Sequence, residues 1–134
     1  MFGNFFKRRR TRSSGAPPTD AEIGAAGEDA ATDYLHRSGY RIVERNWRCP
    51  LGELDIVCRR GDMYVFVEVK SARAQGSLPP ESRVHTAKRR KLNALVRAYT
   101  KSHSINAPCR VDVISIWWDE HEPKVRHIED ISLA

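Results

Sequence analysis

Two runs of β-branched and aromatic residues, 53–60 and 63–70, are separated by only a glycine and an aspartate. A two-residue loop with glycine in first place is the requirement of a type II′ hairpin turn. If residues 61–62 form this turn, the numbers of opposed residues in the two strands sum to 123. A slip of one residue would move every side chain of one strand to the other face, so this register strongly constrains the fold.

The predicted register brings four charged side chains to one face of the hairpin. Asp55 lies opposite Glu68, and Glu53 lies opposite Lys70. Two opposed carboxylates repel each other, and burying an unpaired charge in so apolar a stretch is costly. A divalent cation would remove this penalty, because opposed Cβ atoms are about 4.5–5.5 Å apart and Mg²⁺ binds through one or two carboxylates.

Chemistry at such a site would use the lysine as well. Lys70 could stabilise the charge that develops on a phosphate or help to deprotonate the attacking water, while a metal polarises the phosphoryl group. An alternative needs no metal: Lys70 pairs with Glu53, and Asp55 shares a proton with Glu68. The pattern alone leaves both interpretations open.

A helix is predicted over residues 20–38, with Thr19 or Asp20 as its cap and a stop at Gly39. Glu22 follows Thr19 by three residues, as in a capping box. At about 100° per residue, Asp29 and Asp33 are expected with Glu22 on the side away from the core. Glu28 falls at the border of the apolar stripe, so it is the acid of this helix that is expected to lean over a core-facing site.

Further strands are predicted at residues 40–47, 110–117 and 124–128, and a second helix at about 84–102. This order predicts an α/β fold in which a mixed β-sheet is flanked by helices. We expect Asp112, on the fourth strand, to be structural and to pair with a neighbouring arginine.

The net charge of +6 is distributed unevenly. Residues 1–19 contain five basic residues and no acid, and the remaining chain has 18 basic against 17 acidic residues. This composition, with serines, a glycine and prolines, predicts a disordered basic tail over residues 1–19 and a folded domain over residues 20–134. The tail could bind phosphates or be merely solvated.

The second predicted helix is basic without interruption, since residues 83–101 contain no acid. A basic helix on a nearly neutral domain is typical of a phosphate-contacting surface. A solvated helix is the plainer alternative. The predicted nucleic-acid-binding residues are Lys88, Arg89, Arg90 and Lys91.

The motifs Gly27-Glu28, Gly52-Glu53-Leu54-Asp55 and Val65-Phe66-Val67-Glu68-Val69-Lys70 resemble the YraN family. These are small bacterial proteins that are predicted to be endonucleases of the PD-(D/E)xK superfamily and are similar to archaeal Holliday-junction resolvases. The resemblance extends over about residues 24–128.

The resemblance implies a restriction-endonuclease-like fold and a catalytic set of Glu28, Asp55, Glu68 and Lys70. It implies that Asp55 and Glu68 bind Mg²⁺ or Mn²⁺ and that Glu28 assists from the helix. The expected substrate is DNA, which the related resolvases cleave at branches as dimers, so a homodimer is one arrangement to test. Arg110 departs from the family pattern, which has an aromatic residue before the aspartate.

Other classes of protein fit less well. The three cysteines form no CxxC pair, which argues against a zinc site and a disulfide scaffold and favours a cytoplasmic protein. No apolar run is long enough to span a bilayer, so no membrane partner is expected. The main alternative function is a non-catalytic nucleic-acid-binding module on the same fold. A further alternative is an adaptor that binds an acidic protein through the basic helix.

Overall fold

A computed structural model describes residues 16–74, 76 and 86–131 of the chain. Its elements follow the predicted order, and their bounds are α1 (Asp20–Arg37), β1 (Arg41–Cys49), β2 (Gly52–Arg60), β3 (Met63–Ser71), α2 (Thr86–Ser102), β4 (Cys109–Asp119) and β5 (Glu122–Ile128). The predicted tail falls mostly on residues outside the described ranges, so the domain boundary stays a prediction. No helix in the described part is long and apolar enough to cross a membrane.

The five strands form one mixed sheet in the order β1-β2-β3-β4-β5. β3 and β4 are parallel, and the other neighbours are antiparallel. One face packs against α1 through a core that includes Ala31, Leu35 and Ile114. The other face packs against α2, where Leu95 and Tyr99 are buried. The predicted α/β class, with a mixed sheet flanked by helices, is confirmed.

The β2–β3 hairpin has the predicted register over five residue pairs, from Arg60–Met63 to Ile56–Val67. Gly61 has φ 60°, and Asp62 is not among the residues with positive φ. Positive φ at only the first central residue is the mark of a type II′ turn. The turn therefore fixes which side chains of the two strands reach the α2 face.

Helix α1 begins with the predicted capping box: the Glu22 N–H donates to Thr19 Oγ1 and the Thr19 N–H donates to Glu22 Oε2. Farther along, the helix passes very close to the end of β3. A Cβ added at Gly27 would overlap Ser71 Oγ and lie 2.8 Å from Ser71 Cβ. Only glycine allows this approach, which brings the next residue, Glu28, towards the sheet.

Two glycines of α1 should therefore respond oppositely to alanine. We expect Gly27→Ala to lower the free energy of unfolding by about 1–3 kcal/mol, the usual cost of overpacking. Gly24 is the matched control, because a Cβ there meets nothing within 4 Å, and Gly24→Ala should add about 0.5–1 kcal/mol. Urea denaturation measures both. Equal effects of the two substitutions would contradict the close contact.

The expectation that Asp29 and Asp33 face solvent is wrong: their exposed fractions are 3% and 7%. Arg45 on β1 reaches over the helix, and its Nη2 lies 2.9 Å from Asp29 Oδ1. Arg37 Nη2 lies 2.7 Å from Asp33 Oδ2. Helical periodicity considers the helix alone, so it does not register Arg45, which comes from β1 and covers Asp29.

Asp112 is completely buried on the α1 side of the sheet. It accepts two hydrogen bonds of 2.8 Å from Arg110 and one of 2.9 Å from the Asp130 N–H, and its Oδ2 lies 2.7 Å from His127 Nε2. Burial raises the pKa of Asp112, but these bonds outweigh it and hold the pKa below its usual value. The arginine partner predicted for Asp112 is confirmed, and it is Arg110.

Candidate active site

The β2–β3 ladder ends at Ile56 and Val67, so the two strands separate just before the predicted site. The extension of the register to ladder pairs Asp55–Glu68 and Glu53–Lys70 is therefore wrong. Asp55 Oδ2 accepts a 2.8 Å hydrogen bond from the Val69 N–H. The Val69 N–H therefore bonds to the Asp55 carboxylate where a regular ladder would offer it a main-chain carbonyl. The separated strands leave a gap, and Asp55 lies in it.

Glu68 is the buried carboxylate of this gap, with an exposed fraction of 8%. Its Oε1 lies 3.4 Å from Lys70 Nζ, as expected for two residues on the same face of β3. The same oxygen lies 2.9 Å from Nζ of Lys88, which comes from α2. A buried anion needs such partners because an unpaired charge in the interior is costly.

Asp55 is held in an environment that disfavours its charge. Burial is the main cause that raises the pKa of Asp55 to about 7, and repulsion from Glu68 adds to it. The hydrogen bond from Val69 acts in the opposite direction, while Glu28 and Glu53 raise the pKa further. Four acids therefore influence one another here, and a bound cation would relieve the repulsion.

This environment gives a pH dependence with a defined sign. The folded protein keeps the Asp55 proton up to about pH 7, whereas the ordinary carboxyl loses it near 3.8. We expect the unfolding free energy of the metal-free protein, relative to Asp55→Asn, to fall as pH rises through this window, by at most about 1.4 kcal/mol per unit. Urea denaturation in chelator at several pH values tests this. A difference independent of pH would contradict the raised pKa.

Glu28 reaches the site from α1, but its carboxylate is already engaged. Its Oε1 accepts hydrogen bonds of 2.7 Å from Asn46 Nδ2 and of 3.2 Å from Arg45 Nη2. Asn46 has φ 55°, a left-handed conformation that asparagine tolerates better than most residues. The left-handed residue of β1 is thus the one whose amide binds the Glu28 carboxylate.

Two clefts meet at the gap between β2 and β3. The larger, of about 1120 Å³, is lined by Glu28, Asp55 and residues of α1, β1 and the end of β3. The smaller, of about 210 Å³, is lined by Asp55, Glu68, Lys88 and other residues of β2 and α2. Asp55 and Glu53 line both clefts, so Asp55 lies between Glu28 on one side and Glu68 on the other.

The four basic residues predicted to bind nucleic acid do not share one environment. Arg90 and Lys91 are exposed, whereas Lys88 and Arg89 are partly buried. Lys91 also lines the smaller cleft, and its Cε would lie 3.0 Å from a Cβ added at Gly52. Lys88 is engaged with Glu68. The accessible part of the predicted surface is therefore Arg90 and Lys91.

The site motifs lie within a segment shared with known proteins. Residues 27–116 match the model of the uncharacterised protein family UPF0102. The chain belongs to the UPF0102 family. The UPF0102 protein of Moorella thermoacetica is 44% identical over 83% of this chain and 92% of its own length. That of Arthrobacter sp. strain FB24 is 40% identical over 81% of this chain and 94% of its own length. The recognition of the YraN family from sequence motifs is thereby confirmed.

A comparison with solved structures adds no function to this UPF0102 protein. The chain matches a chain of the solved structure titled "The structure of Pyrococcus Furiosus SfsA in complex with Ca2+", with 15% sequence identity and a TM-score of 0.37. The match covers 81% of this chain and 62% of the other. A superposition this loose carries no argument about substrate or metal.

The donors in this UPF0102 protein suit one kind of metal better than others. Among residues 16–74, 76 and 86–131, no group of three or more His, Cys, Asp or Glu side chains is placed to hold a metal ion. Mg²⁺ keeps several waters and binds through one or two carboxylates. Asp55 and Glu68, repelling each other in one gap, fit that requirement.

The contacts that three residues make in the site were not predicted from the sequence. Lys88 was expected to contact phosphate, and its contact with Glu68 has no signal in the sequence because it depends on how α2 packs on β3. Arg45 and Asn46 bind Glu28 from β1. The signal for Asn46 was available, since an asparagine in a strand marks a place where the backbone can turn.

Proposed function

We propose that this UPF0102 protein is a metal-dependent endonuclease that hydrolyses phosphodiester bonds of DNA. Branched or otherwise structured DNA is the first substrate to test, because the sequence resembles Holliday-junction resolvases. The main support is the arrangement of Asp55 and Glu68 in the gap between β2 and β3, with Lys70 Nζ 3.4 Å from Glu68 Oε1. This arrangement combines two carboxylate ligands for a divalent metal ion with the ammonium group of Lys70, which can bind phosphate.

Each residue has a role in this proposal. Asp55 and Glu68 would hold Mg²⁺ or Mn²⁺, which when bound polarises the phosphoryl group and lowers the pKa of an attacking water. Lys70 would donate hydrogen bonds to the phosphate oxygens as negative charge develops on them. Glu28, fixed by Asn46 and Arg45, would keep α1 at the correct distance from Asp55.

The charges around the site are suited to a polyanion. The larger cleft includes Arg48 and Arg73 in its lining, and Arg90 and Lys91 are exposed on α2. Basic groups around an acidic centre attract the DNA backbone while the carboxylates bind the cation. A homodimer that places two such sites on one branched DNA is part of the proposal.

One observation favours the second candidate, a non-catalytic nucleic-acid-binding module. Glu68 is already paired with two lysines, so its charge is balanced without a metal. A cleavage assay separates the candidates. Purified protein is incubated with Mg²⁺ or Mn²⁺ and with branched, duplex and single-stranded DNA and RNA, and chelator serves as the control. Absence of cleavage with both metals on every substrate would reject the endonuclease in favour of the binding module.

A further inference from the structure

Among the described residues, two lysines form ion pairs with Glu68, and Lys88 makes the shorter one. Its Nζ lies 2.9 Å from Glu68 Oε1, whereas Nζ of Lys70 lies 3.4 Å from the same atom. Lys70 is two residues away on the same strand, but Lys88 comes from the beginning of α2, across the smaller cleft. The contact therefore forms only when α2 is packed on the sheet.

The position of this ammonium group is unusual for a surface lysine. The side chain of its partner Glu68 is 10% exposed, while the Lys88 side chain itself is 39% exposed. The charged group thus reaches from solvent into the cleft that Asp55 and Glu68 line. A lysine has a flexible four-carbon stem, so its ammonium can move several ångströms without a change in the backbone.

Lys88 and a divalent cation would compete for the same carboxylate. An ammonium group and a metal ion bound to the same carboxylate oxygen repel each other. When Lys88 leaves Glu68, the positive charge of Lys88 needs another anion as its partner. A DNA phosphate is the anion that the proposed substrate supplies, and a lysine binds phosphate as a point charge.

We propose that Lys88 is the counter-ion of Glu68 in the metal-free protein, that it competes with the divalent cation, and that it moves to a phosphate of the DNA when the cation binds. This inference rests on the proposed function, since it takes Glu68 as a metal ligand. The site is then regulated by its own ligands, because the metal and the DNA each promote the binding of the other. Either ligand compensates for separating Lys88 from Glu68, which the other ligand would otherwise have to do alone.

The test measures metal affinity rather than activity. Mn²⁺ is titrated calorimetrically into the full-length metal-free protein as wild type, Lys88→Met and Lys101→Met. Lys101 is an exposed residue of the same helix and serves as the matched control. We expect Lys88→Met to bind Mn²⁺ about tenfold more tightly than wild type, a difference of about 1.4 kcal/mol, and Lys101→Met to bind as wild type does.

A second titration includes a short single-stranded DNA oligonucleotide. The DNA should strengthen Mn²⁺ binding by wild type more than by Lys88→Met, in which there is no ammonium to relocate. Melting curves without metal establish that each variant is folded, and Lys88→Gln, which keeps a polar side chain, replaces Lys88→Met if the latter is unfolded.

The outcomes distinguish this inference from the proposed function. If wild type binds Mn²⁺ and the Lys88 variant binds it equally or more weakly, the competition is refuted and the metal site stands. If wild type, Lys88→Met and Lys101→Met all fail to bind Mn²⁺ while folded, the metal-dependent site is itself refuted. The inference is supported if Lys88→Met binds Mn²⁺ more tightly than wild type and Lys101→Met does not.

Discussion

Asp55→Asn and Glu68→Gln are each expected to reduce metal-dependent cleavage by at least about 10²-fold, the scale for loss of one group that stabilises transition-state charge. Each substitution removes one of the two carboxylates proposed to hold the cation and changes the side-chain volume very little. The amide oxygen that Asp55→Asn introduces can still accept the hydrogen bond from Val69, which Asp55 accepts at 2.8 Å. The loss of activity should therefore occur without a loss of fold.

DNA binding by the same variants should be unchanged or tighter, because a negative charge is removed from the surface proposed to bind DNA phosphates. Initial cleavage rates and filter binding measure the two properties on the same DNA. Asp62→Asn is the matched control, since Asp62 is exposed in the hairpin turn at the other end of β2 and β3. Undiminished cleavage by the Asp55 and Glu68 variants would refute the site.

Arg110→Ala is expected to have the largest effect on stability, with a loss of about 3–5 kcal/mol in the free energy of unfolding. The substitution leaves Asp112, which has no exposed surface, without two hydrogen bonds of 2.8 Å. It also removes the 2.8 Å hydrogen bond from Arg110 to the Tyr40 hydroxyl. Leaving a buried carboxylate without its arginine lowers the free energy of unfolding far more than removing a surface charge does.

Urea denaturation of two further variants tests this explanation. Arg97→Ala removes an exposed arginine of α2 and should change stability by less than about 0.5 kcal/mol. The double variant Arg110→Met/Asp112→Leu removes both charges and should be more stable than Arg110→Ala, because no buried charge is left unpaired. A double variant no more stable than Arg110→Ala would show that the unpaired charge is not the cause.

The sequence predicted local features of this protein well because those features depend on neighbouring residues. The glycine of the 61–62 turn and the alternation of the flanking strands were enough to predict five residue pairs of the hairpin. The capping box of α1 was predicted from Thr19 and Glu22 alone. The family motifs then indicated the candidate site residues, whose catalytic roles stay predictions.

Features that depend on packing between distant elements were not predicted. The end of the β2–β3 ladder before Asp55 is invisible to a register extrapolated from the turn. The burial of Asp29 depends on Arg45 from another element, and the engagement of Glu68 depends on Lys88. Charged residues were assigned to solvent or to DNA because their sequence neighbours do not reveal a partner more than ten positions away.

The order of the strands has a consequence for solubility. β1 and β5 lie at the two edges of the open sheet, where unpaired backbone groups could recruit a strand from another molecule. In β1 the register shifts between Ile42 and Glu44, and Asn46 adopts a left-handed conformation. β5 has only seven residues and includes a proline and a lysine. Irregular, short and charged edge strands are poor templates for aggregation, so both edges of the sheet disfavour its extension by a strand from another molecule.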